Sequence, residues 1–113
     1  MAKDPTIRVT PSSGNVLADL GFTEPEEELA RAQLASRIQK IIRRRRLTQV
    51  DAAGLVGIDQ PKVSALLNGR LANFSSTRLM RLLTALRQDV EIVIKPAPRS
   101  RERGRIRVMD AHV

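Results

Sequence analysis

LTQVDAAGLVGIDQPKVSALLNGR, residues 47–70, reads as two short helices joined by a tight turn. Thr48 is a good N-cap, and Asp51 three positions on supplies the acidic partner of a capping box. Ala52, Ala53 and Val56 recur at helical spacing and form a small apolar face that lets a neighbouring helix approach closely. Gly57 stands where the first helix must stop, at a position that favours a left-handed residue. Asp59 then caps a second helix that begins at Gln60, with Pro61 in the first turn, where its missing N–H costs nothing. Val63, Leu66 and Leu67 face inward, which leaves Gln60, Lys62 and Ser64 pointing out. A polar face beside a helix N-terminus in a basic chain is what a reader of the DNA major groove presents. The expectation is a helix-turn-helix.

The surrounding chain bounds the fold. With 113 residues there is room for one domain with a modest core, plus tails. Two phenylalanines and no Trp or Tyr make that core aliphatic, which suits packed short helices better than a sheet sandwich. Residues 24–45 predict the first long helix: Thr23 and Glu26 form a capping box, Pro25 fits the first turn, and four glutamates sit at the positive end of the dipole. Its stripe of Ala30, Leu34, Ile38, Ile41 and Ile42 should pack on Val56, Val63 and Leu66. After the motif, Asn68-Gly69 is a turn, Phe74 anchors a loop, and Ser75 caps a helix to about Arg87 buried through Leu79, Leu82, Leu83 and Leu86. Residues 89–95 alternate, Val90, Ile92 and Ile94 against Glu91, Val93 and Lys95, and stop at Pro96, which predicts a strand. Such a strand needs a mate, either Ile7–Val9 of a possible N-terminal strand or the same strand of a second subunit; the second is preferred. The expected fold class is mainly α: a small helical bundle with a helix-turn-helix and a short C-terminal strand. Three regions result, an N-terminal arm at 1–22, the DNA-binding domain at 23–95, and an arginine-rich tail at 96–113.

Charge narrows the partner. The net charge is +8 and the isoelectric point is near 11.4, which favours a polyanion, nucleic acid ahead of membrane. Residues 1–30 carry two basic and six acidic side chains, whereas 31–95 carry thirteen and four. Residues 96–113 carry five basic and two acidic side chains, with arginine at 99, 101, 103, 105 and 107 in a setting that resembles a disordered basic arm. No apolar run reaches the ~18 residues that span a bilayer, and MAKDPTIRV has no signal-peptide core, so a cytoplasmic, nucleoid-associated protein is expected. The chain has no Cys, and its one histidine, His112, lies in the tail, so neither a thiolate metal site nor a catalytic constellation is expected, nor a cofactor. An RNA-binding reading lacks the stacking aromatics of single-stranded RNA modules.

Thr48-Gln49, Ala53, Gly57-Ile58, Gln60, Val63-Ser64 and Asn68-Gly69 resemble the helix-turn-helix of the Xre/Cro repressor family, without a gap. Pro61 and Ala65 stand where many members carry polar residues, and Leu67 where an acidic one is common. The looser similarity of SSGNVLADLGF and of FSSTRLMRLLTALRQDVEIVIKPA is to HigA-type antitoxins of toxin–antitoxin pairs. That resemblance implies a homodimer that represses its own operon from a palindromic operator and neutralises a HigB/RelE-like mRNA interferase. A stand-alone repressor without a toxin is the alternative. Base contacts are expected from Gln60, whose amide suits adenine, and from Lys62 and Ser64. Phosphate contacts are expected from Thr48, Gln49, Arg43, Asn68 and Arg70. The apolar patch Val16, Leu17, Leu20 and Phe22 either folds back on the domain or, beside the acidic head, binds the toxin.

Overall fold

In a computed structural model, residues 24–111 are described, and they contain four helices: α1 (Glu24–Arg44), α2 (Gln49–Val56), α3 (Gln60–Leu67) and α4 (Ser76–Ala85). The expected N-terminal strand and the 16–22 patch lie outside these residues. Helix α1 is the spine. Its stripe of Ala30, Leu34, Ala35, Ile38, Ile41 and Ile42 is buried, with Ile38 wholly enclosed. The largest packing face is between α1 and α4, which contributes Leu79, Leu82, Leu83 and, just beyond its end, Leu86. Helix α3 inserts Val63 and Leu66 into the same core, and α2 adds Ala52, whose small side chain lets the motif sit close to its neighbours. Phe74 in the loop before α4 is 2% exposed and completes the core, with the Arg78 guanidinium 5.6 Å from its ring centroid.

The helix boundaries follow from caps. Thr48 accepts from the Asp51 N–H at 3.0 Å while the Asp51 carboxylate accepts from the Thr48 N–H at 3.5 Å, the reciprocal box expected from the sequence. Asp59 caps α3 by accepting from the Lys62 N–H at 3.1 Å, and Ser75 caps α4 by accepting from the Arg78 N–H at 3.1 Å. At the C-terminal ends one device recurs. A left-handed residue, Arg46, Gly57, Gly69 or Arg87, is followed by an N–H that reaches the carbonyl five residues back. Two of the four stops are therefore arginines held at φ 56° and 67°, a conformation that costs a residue with a Cβ about 1–2 kcal/mol. This is why α1 ends at Arg44 and α4 at Ala85, each short of the residue expected from periodicity.

Two expectations change at the C-terminal end. Residues 89–95 form no strand, and no strand is present among the described residues. The alternating pattern is there, but backbone pairing needs a second strand, and none is supplied within residues 24–111. Ile92, Val93 and Ile94 stand 75%, 77% and 92% exposed, while Val90 packs partly on the core. The basic tail, in turn, is not detached. Val108 packs partly on the core, its N–H donates to Gln33 Oε1 at 3.2 Å, and Asp110 pairs with Arg37. The chain thus returns to the side of α1 that carries Gln33 and Arg37.

Candidate nucleic-acid interface

The helix-turn-helix is α2, the Gly57 turn and α3. Its polar surface is held from beneath by one long-range hydrogen bond: Gln39 of α1 donates through Nε2 to the Leu66 carbonyl at 2.8 Å. Leu66 is in the last turn of α3, where its carbonyl also accepts from the Gly69 N–H at 3.1 Å, so the Gln39 amide takes a second acceptor site there and fixes the helix to the spine. A second clamp holds the following loop. Arg31 donates through Nη1 to the Leu71 and Phe74 carbonyls, both at 3.4 Å, and its guanidinium lies 3.9 Å from the buried Glu27 carboxylate. A third fixes α4: Arg45 Nη2 donates to the Leu86 carbonyl at 2.6 Å. In the sequence Glu27 reads only as one of four glutamates at the positive end of the dipole, and Arg31 and Arg45 only as two of the thirteen basic side chains of residues 31–95. The carbonyls that Gln39, Arg31 and Arg45 reach are 27 to 43 positions away, and no local pattern marks them.

On the outer surface the structure brings two expected contacts together. Gln60 at the start of α3 donates through Nε2 to Gln49 Oε1 at the start of α2, at 3.3 Å. The pair fixes the Gln60 amide but does not exhaust it, since a second N–H and the carbonyl oxygen remain. Gln60 and Lys62 are exposed and Ser64 is half-buried. Asn68 is committed locally: its Nδ2 donates to the Ser64 carbonyl at 2.9 Å and lies 3.5 Å from Ser64 Oγ. The Thr48 hydroxyl is likewise taken up by the cap. Arg43, Arg44, Arg46, Lys62 and Arg70 are exposed and form no ion pair among the described residues. Between residues 40 and 70 there are seven basic side chains and two acidic ones, and both acidic ones, Asp51 and Asp59, are turned to backbone N–H groups as caps. The positive charge around the motif is therefore directed outward without internal neutralisation.

A family model of a helix-turn-helix domain matches residues 16–95, more than half of the chain. A solved structure described as an XRE-family transcriptional regulator is 52% identical in sequence, with a TM-score of 0.76; the match covers 79% of this chain and 100% of that one. The chain belongs to the Xre family of helix-turn-helix proteins. Comparison with curated proteins gives no match. The family match begins at Val16 and closes at Lys95, so the alternating segment 89–95 is inside the Xre-type domain and the arginine-rich segment after Pro96 is outside it. Among the described residues no helix is long and apolar enough to cross a membrane, and no group of His, Cys, Asp or Glu is arranged to hold a metal ion.

Proposed function

We propose that the protein is a sequence-specific binder of double-stranded DNA that represses transcription as a homodimer, with α3 in the major groove. The observation that carries this is the Gln49–Gln60 pair on the exposed end of a helix tied to the spine through Gln39. A Gln amide held in this way presents a donor to adenine N7 and an acceptor to the adenine amino group together, the bidentate match that reads one base. Lys62, further along the exposed surface, reaches guanine or phosphate, and Ser64 supplies a shorter contact. Arg43 and Arg70 serve phosphates, with Gln49 and the first-turn N–H groups of α2. Thr48 and Asn68 act mainly by holding backbone, and their phosphate roles are confined to what their remaining donors supply. A two-fold dimer requires a palindromic operator with half-sites about 34 Å apart. Fluorescence anisotropy with duplex from upstream of its own gene against a scrambled duplex tests the reading. Tighter binding to the upstream duplex at physiological ionic strength is expected, and equal binding to both overturns it.

A finer reading adds neutralisation of a HigB/RelE-like toxin by the patch Val16, Leu17, Leu20 and Phe22 beside the acidic head. It rests on the resemblance of the sequence to HigA-type antitoxins and on charge complementarity toward a basic partner. Co-purification with the product of the adjacent gene, lost when residues 1–22 are removed, is the expected result. Absence of any complex favours the stand-alone repressor; the description of the solved relative as a transcriptional regulator is consistent with either reading.

A further inference from the structure

We propose that residues 90–96 are the strand through which two copies pair, antiparallel, about a two-fold axis passing at Val93. The inference rests on the homodimer proposed above and specifies its interface. Three consecutive large apolar side chains, Ile92, Val93 and Ile94, are at least three-quarters exposed, on a segment with no backbone hydrogen bond among the described residues. Val90 is already seated partly on the core, whereas Ile92 and Ile94, which would share its face in an extended strand, are left uncovered. A second strand alongside would satisfy the open backbone groups and continue that apolar face.

Charge complementarity identifies the occupant as the same segment of another copy. With the axis at Val93, Glu91 of each chain stands opposite Lys95 of the other, Ile92 opposite Ile94, and Val93 opposite itself. Two ion pairs then flank a wholly apolar centre. A one-residue slip sets Ile92 opposite Val93 and sends one apolar set to the wrong face. Moving the axis to Ile92 pairs Asp89 with Lys95 but puts Glu91 against Val93; moving it to Ile94 puts Lys95 against Val93. Pro96, which has no N–H, falls opposite Val90 at the end of the pairing, where an absent donor interrupts nothing further along.

The test uses the full chain and two charge variants, E91K and K95E, each at an exposed position, with circular dichroism to show that the helices are intact. Sedimentation should find the unaltered protein dimeric at micromolar concentration. Each variant alone places like charges opposite one another twice, and its dimer dissociation constant should rise about tenfold. An equimolar mixture should restore pairing, because the E91K strand carries lysine at both flanking positions and the K95E strand carries glutamate at both. Native mass spectrometry should then find heterodimer above the statistical half. A monomer in the unaltered protein overturns both the dimer and this interface. A dimer that E91K leaves undisturbed, with only statistical mixing, overturns the Val93 register and leaves the homodimer standing.

Discussion

Residues 47–70 and residues 89–95 are both rich in local pattern, yet only the first stretch folds on that pattern alone. In the helix-turn-helix every boundary has its determinant within five residues: Thr48 with Asp51, Gly57 with Ala53, Asp59 with Lys62. The alternation at 89–95 is as regular, but a strand's hydrogen bonds close on another strand, and residues 24–111 of one chain do not provide it. The tail beyond Pro96 shows the reverse case. It has almost no apolar periodicity and five arginines, yet Val108 and Asp110 find partners on α1 far back in the chain, Val108 to Gln33 spanning 75 positions. Local pattern thus specifies structure where the bonds it calls for are local, and only proposes structure where they are not.

The contrast can be broken or sharpened by substitution. The largest effect is expected at Phe74, which the core encloses from all sides: Phe74→Ala should lower unfolding free energy by about 3–5 kcal/mol in urea titration. A change below about 1 kcal/mol would mean that the loop before α4 is not part of the core. Gly57→Ala comes next. No atom lies within 4 Å of an added Cβ, so only the φ of 79° resists it, and a loss of about 1–2 kcal/mol is expected by the same titration. Removing the cap hydroxyl in Thr48→Ala should cost about 1 kcal/mol, because one first-turn N–H of α2 loses its acceptor. Asp110→Ala should cost least, under about 1 kcal/mol, since its pairing with Arg37 is partly exposed and solvent screens it. If Asp110→Ala proves as costly as Gly57→Ala, the tail belongs to the folding unit as firmly as the motif does.

Much of the helix-turn-helix was legible because its geometry is written in caps and spacing. The N-caps at Thr48, Asp59 and Ser75, the Gly57 stop and the inward set Val63 and Leu66 are all as the sequence implied. The mainly α class followed from the same signals. The supports under the site were not legible. Gln39 looks like any exposed-face glutamine until α3 is folded against α1, and Arg45 like any basic residue at a helix end until Leu86 presents its carbonyl. The arginine stops at 46 and 87 were hidden for another reason: the Leu47 and Gln88 N–H groups, bonded back to Ile42 and Leu83, close the turns around a conformation that propensity assigns to glycine. The Gln49–Gln60 bond lies between. Both residues stand out in the sequence, but as contacts to different parts of DNA rather than as partners of each other.

The most direct measurement is the affinity of Gln60→Ala for its own upstream duplex and for a scrambled duplex, each titrated against salt beside Arg43→Ala. Gln60→Ala should lose about 1–3 kcal/mol on the upstream duplex alone, with the salt dependence unchanged. Arg43→Ala should weaken both duplexes alike and reduce the slope by about one counterion. Undiminished upstream affinity in Gln60→Ala would contradict the placement of the reading surface at the start of α3.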